Sequence, residues 1–208
     1  MTSAPPATPP PGTATTTLVQ RAVQALIPLA ARAHTSSAVP TPCEEYTVDQ
    51  LGTHLMTVLN RGVRAGNGYN TATVLLGSWE AFEETAATLS TVWSSPAAWN
   101  GEADFYGSKQ RRGFIGSVMV MELVVHGWDL ARALDTPYMV EDDLVATSLA
   151  AARENDALGA RDFGAFRPQR DSTQIGTIDH LIAFTGRDVH WTPPVPIYRA
   201  CAQDPRLG

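Results

Sequence analysis

Residues 114–134 read FIGSVMVMELVVHGWDLARAL, apolar on almost every side of a helix and yet carrying Glu122, His126 and Asp129. A helix that is apolar all round is surrounded by protein. The segment, taken as about Arg111 to Leu134 and stopped by Asp135-Thr136-Pro137, is therefore a helix in contact with protein on most sides. A buried carboxylate costs several kcal/mol unless it is paired, neutralised or bound to a cation, so the polar groups on this helix need an explanation.

Amphipathic segments lie on both sides of it. Residues 18–34, LVQRAVQALIPLAARAH, carry apolar residues at helical spacing, with Pro28 expected to kink the segment. Thr47-Val48-Asp49-Gln50 has the spacing of a capping box, so a second helix starts near Val48 and runs to about Arg64, with Leu51, Leu55, Val58 and Leu59 on its apolar side. Ser78 can cap a third, in which Trp79, Phe82, Ala86, Leu89 and Trp93 recur at three- and four-residue spacing. A loop from Ser94 to about Lys109, with Trp99, Phe105 and Tyr106, is long enough to be functional. A fifth helix is expected over Val140 to about Asn155, and a short last one in TIDHLIAFTGR, closing at Gly186. No hairpin signal and no repeat stands out. The pattern predicts an all-α fold: a four-helix bundle with additional short C-terminal helices, spanning residues 18–191 between a Pro/Thr/Ala-rich tail (1–17) and a Pro-rich tail (192–208).

Composition narrows the function. The 208-residue chain has a net charge of -6 and 44% hydrophobic residues, which suits one domain with a substantial core. Its basic residues are scattered apart from Arg111-Arg112, unlike the basic stripe that nucleic acid requires. No uninterrupted apolar run reaches the roughly 20 residues of a membrane span, and the N-terminus lacks a signal-peptide pattern. Cys43 and Cys201 match no paired-cysteine motif and are expected to be free thiols in a cytoplasmic protein. Only one of the 15 basic residues is lysine, Lys109, a bias that points to a GC-rich genome.

Glu122 and His126, four residues apart, lie on one helix face and can offer two ligands to one divalent metal. His54, three residues after Leu51 at the edge of the second helix's apolar stripe, is the candidate third. Two histidines and one carboxylate make a half-open site suited to chemistry, whereas structural zinc sites are closed by four protein ligands. An internal Glu122–His126 ion pair with an unrelated His54 is the competing reading, and on residues alone the two stand level.

The segments CEEYTVDQLGTHLMTVLNRG, ELVVHGWDLARAL and DHLIAFTGRDVHW resemble the DinB-like metal-binding superfamily, in its actinobacterial branch related to the metal-binding domain of mycothiol-dependent maleylpyruvate isomerase. HGWDLAR is the most specific piece, and Tyr46 departs from the tryptophan frequent in that branch. The resemblance implies a four-helix bundle presenting His54, Glu122 and His126 to a divalent metal, zinc first, with nickel or iron as alternatives. It also implies a low-molecular-weight thiol such as mycothiol as cosubstrate, in S-transfer or isomerisation of a small molecule. A metal-dependent hydrolase, dehydratase or cyclase is the second expectation, and a non-catalytic metal-binding module the third. A homodimer is compatible with each.

Asp129, one turn beyond His126, can hydrogen-bond a ligand histidine or act as a base; a surface pair with Arg132 is the alternative. Arg61, two turns after His54, can hold an anionic substrate or form a surface ion pair. Trp128 points away from His126 and is expected to pack, Cys43 to be a small buried residue, and His34, His180 and His190 to be structural or exposed.

Overall fold

Thr47 caps α2 (Val48–Gly66) as its spacing with Gln50 requires. Its hydroxyl accepts the Gln50 amide at 3.4 Å, while the Gln50 side chain accepts the Thr47 amide at 2.9 Å. The computed structural model describes residues 14–33, 38–71, 79–172 and 176–194, with backbone alone for 14–17. Within them, α1 (Ala14–Ala33) begins four residues before the expected start at Leu18 and runs through Pro28 without ending there. The apolar stripe of α2 is buried at Leu51, Leu55, Val58 and Leu59.

A 3₁₀ turn over Trp79–Ala81 leads into α3 (Phe82–Trp93), whose buried residues are Phe82, Ala86, Leu89 and Trp93. Trp79 is half-buried and packs on Phe82, with ring centroids 5.2 Å apart. Glu83 and Glu84 in the first turn of α3 complement the positive end of its dipole. The proposed cap Ser78, together with His34 and Cys201, lies outside the described residues, as do most of the two expected tails.

The aromatic-rich loop is not structureless. After a 3₁₀ turn over Pro96–Trp99 it forms an antiparallel hairpin of β1 (Glu102–Phe105) and β2 (Ser108–Arg111), joined by Tyr106-Gly107. The fold is therefore mostly helical with one two-stranded sheet, which corrects the expectation that no hairpin would occur. The strands leave little trace in the sequence for a physical reason: each is four residues long, and β2, Ser-Lys-Gln-Arg, has no buried residue to give an alternating pattern.

Helix α4 (Arg112–Ala133) follows β2 directly, and 17 of its 22 residues are buried. It packs on α1, α2 and α5 (Asp142–Ala157), while α3 packs on α1 and α2, and α6 (Ile178–Phe184) on α5. Among the described residues α4 alone is long and apolar enough to cross a membrane, but 89% of that stretch is buried inside the protein. One corner of the core is set by two indoles. Trp93, fully buried, donates its Nε1 hydrogen to the Gly62 carbonyl at 3.0 Å, and Trp99 donates to the Trp93 carbonyl at 3.0 Å. Both rings press against Gly116 of α4, where an added Cβ would stand 2.3 Å from Trp99 and 2.7 Å from Trp93.

Gly116→Ala reports on this packing. In an open helix interior the change stabilises by up to ~1 kcal/mol. Here the forced shift of the indoles reverses the sign, and a loss of about 1–3 kcal/mol is expected in urea denaturation.

Candidate metal centre

Helices α2 and α4 pack side by side, and their facing edges bring the three proposed ligands together. Glu122 Oε2 lies 3.4 Å from His54 Nε2 and 3.2 Å from His126 Nε2. The two imidazole rings stand edge to face, with centroids 4.8 Å apart. All three donor atoms fall within 4.8 Å of one another, so one ion can be held among them. Donors about 2.0–2.1 Å from a tetrahedral zinc are themselves about 3.3 Å apart, close to both observed nitrogen–oxygen separations. The residues therefore fit a divalent metal in both chemistry and spacing. His126 is buried, whereas the His54 and Glu122 side chains remain 25% and 20% exposed, leaving the cluster open on one side.

A second layer of contacts orients the ligands. His126 Nδ1 lies 2.9 Å from Asp129 Oδ2, which fixes the ring and turns Nε2 toward Glu122. Asp129 is completely buried and would be untenable alone. Its counter-ion is Arg187, just beyond α6, whose Nε donates to Oδ1 at 2.8 Å and whose Nη2 donates to Oδ2 at 2.9 Å. Arg187 Nη1 is in turn satisfied by the Thr185 hydroxyl at 3.1 Å. The alternative surface pair of Asp129 with Arg132 does not form: Arg132 stacks over Trp128 at 5.1 Å and donates to the Val189 carbonyl. Just before α2, the Tyr46 ring stacks on His54 with centroids 5.1 Å apart, so Tyr46 touches a proposed ligand directly.

These contacts set the charges. Burial would raise the Glu122 carboxyl, but hydrogen bonds from His126 and His54 outweigh it and hold the group far below the ordinary carboxylate range. Burial would neutralise His126, but the Asp129 and Glu122 carboxylates hold its pKa above the ordinary histidine value. Asp129 is pushed up by burial and brought below its ordinary value by Arg187 and His126.

The cluster opens into a cavity of about 740 Å³. Phe114, Val118, Met121 and Val125 of α4 supply an apolar wall, Phe105 and Tyr106 come from the hairpin, and Leu158, Phe163 and Phe166 follow α5. Such a chamber suits a small molecule with an apolar body. Cys43 also lines it, but burial pushes its thiol up to about 11, so it is protonated at neutral pH. Cys43, His126 and Asp129 also lie close enough to share an ion. The Asp129 carboxylate is already committed to Arg187 and the His126 ring, so this second group is a poor competitor for the metal.

Arg61 does not line the cavity and forms no ion pair among the described residues; its guanidinium lies over the Tyr106 ring, 4.2 Å from the centroid. The expected surface ion pair is thus absent there. His180 accepts the Gly176 amide at 3.1 Å, and His190 is exposed. Arg187 was missed in the sequence. Its signal was indirect, since a buried Asp129 demands a cation, but nothing local says which of the scattered arginines provides it.

Comparison of the chain with protein-family models, with curated proteins and with solved structures returned no match.

Two outcomes follow from the charges. The Glu122 and Asp129 contributions are complete above their ordinary values of 4.5 and 3.8 and are lost as pH falls; that of His126 is complete below 6.5 and is lost as pH rises. Metal-free protein should therefore show a plateau of urea stability between about pH 4.5 and 6.5, declining on both sides. A bound ion must displace the His126 proton, so zinc affinity measured by competition with a chelating dye should keep rising with pH above 6.5, with proton release detectable by calorimetry in buffers of different ionisation enthalpy. Separately, Arg187→Leu should destabilise the fold by about 3–5 kcal/mol, because it leaves Asp129 buried without its counter-ion.

Proposed function

We propose that the chain is a metal-dependent enzyme acting on a small molecule, in which His54, Glu122 and His126 hold one divalent ion. Zinc is the first choice, with nickel or iron as alternatives. We further propose that α1 to α4 form a four-helix bundle of the DinB-like type. The observation that carries the reading is the convergence of three donors from two helices at the wall of a chamber, with His126 already oriented by Asp129. The pairwise packing of α4 on α1 and α2, and of α3 on the same two helices, supports the bundle.

When bound, such an ion lowers the pKa of a coordinated water or thiol and polarises a carbonyl. The chain's own residues do the rest. Asp129 holds the His126 ring so that Nε2 faces the cluster, Arg187 keeps Asp129 ionised, and the Tyr46 ring braces His54 from the side. The apolar wall excludes water from one side of the cluster and receives the substrate's body.

The proposed reaction is transfer or isomerisation assisted by a low-molecular-weight thiol of the mycothiol type. The HGWDLAR segment supports it by resemblance; Cys43, whose thiol burial holds protonated, is a poor nucleophile and is not assigned the reacting sulfur. Metal analysis followed by mass spectrometric screening of cell extract for thiol adducts tests this. Wild-type protein should form adducts with mycothiol, and His126→Ala, its helical circular dichroism retained, should form none. Conversion that proceeds equally well with no thiol present would overturn the thiol step and leave a metal-dependent hydrolase or cyclase.

A further inference from the structure

The turn joining β1 to β2 holds an unusual residue. Phe105 pairs with Ser108, so the loop is the two residues Tyr106 and Gly107, with φ of 52° and 82°. Positive φ at both positions is the type I′ hairpin turn, which strongly favours Asn-Gly because a side chain with a Cβ is disfavoured in the left-handed region. Tyrosine is a poor choice for the backbone. It is also a poor choice for an exposed tip, since the residue is 59% exposed.

The surroundings are arranged around this ring. Arg61 lies over it at 4.2 Å, with its Nε buried and without a hydrogen-bond acceptor, and Phe105 meets it edge to face at 4.7 Å. Tyr106 lines the same cavity as His54, Glu122 and His126. Burial pushes its hydroxyl pKa up against the lowering effect of Arg61, and a tyrosine hydroxyl keeps its proton at neutral pH, so it can donate.

We propose that Tyr106 is a substrate-contacting residue: its hydroxyl hydrogen-bonds the polar group of a small molecule bound at the metal centre, whose apolar body lies along Val118, Met121 and Val125. The substrate class is thus a polar, metal-seeking head on an apolar or aryl body. Arg61 acts through Tyr106, as a positioning residue that holds the ring at the mouth. The proposal rests on the metal reading above and adds to it a recognition element and a substrate shape.

The test uses full-length protein loaded with cobalt(II), titrated with acetohydroxamate and benzohydroxamate and followed by visible absorption. Wild-type protein should bind the aryl probe more tightly than the methyl one. Tyr106→Phe should weaken both by roughly 3- to 10-fold, the range expected for one lost hydrogen bond. Tyr106→Asn, which suits the turn, should weaken binding at least as much while leaving Tm unchanged or raising it by roughly 2–4 °C. That combination separates recognition from architecture, because a purely structural tyrosine would lower Tm and leave affinity alone. Equal affinity of wild type and Tyr106→Phe, with cobalt and probe both bound, would overturn this proposal and leave the metal reading standing. Failure of the wild type to bind cobalt would overturn both.

Discussion

Asp129 is a carboxylate with no access to water, and the arrangement around it follows from that constraint. Such a group is tolerable only if opposite charge and hydrogen bonds surround it. Arg187 supplies the charge from beyond α6, and His126 offers a ring nitrogen. Through these two contacts a residue of the central helix ties the C-terminal part of the chain to a prospective metal ligand. The cost of burying the pair is offset by its mutual attraction and hydrogen bonds, and one of those contacts also orients His126 toward the cluster.

The same logic separates the two acids of α4. Asp129 is sealed and saturated, whereas Glu122 keeps part of its surface open and faces two imidazoles. A proton or a divalent ion could satisfy those imidazoles, so the same three residues that form an internal ion cluster could also hold a metal. The reading that treats Glu122 and His126 as a simple ion pair describes one state of this balance. The participation of His54, from another helix, is what makes the second state accessible.

What the sequence disclosed depended on distance along the chain. The capping box at Thr47, the buried character of α4 and the shared face of Glu122 and His126 are local relations, and periodicity exposes them. The partnership of Asp129 with Arg187 spans 58 residues, and only the folded packing creates it. Local reasoning offered Asp129 two partners on its own helix, His126 and Arg132; the His126 contact forms, and the Arg132 surface pair does not, because Asp129 points inward. The hairpin was hidden for a different reason. Its strands are short, β2 buries nothing, and its turn carries tyrosine where asparagine would have announced it.

Helix α4 begins at the residue after β2, with no linker between them. The hairpin and two of the three proposed metal donors are thus successive parts of one stiff length of chain, and their relative orientation is fixed by residue count. A one-residue insertion between Arg111 and Glu122 would turn the donors by about 100° around the helix axis relative to the strands. The loop after α5, which supplies the opposite side of the chamber, carries no such phase relation. Variation in chain length among descendants of this sequence should therefore gather in that loop, leaving the chamber's size free to drift while its donor side stays in register.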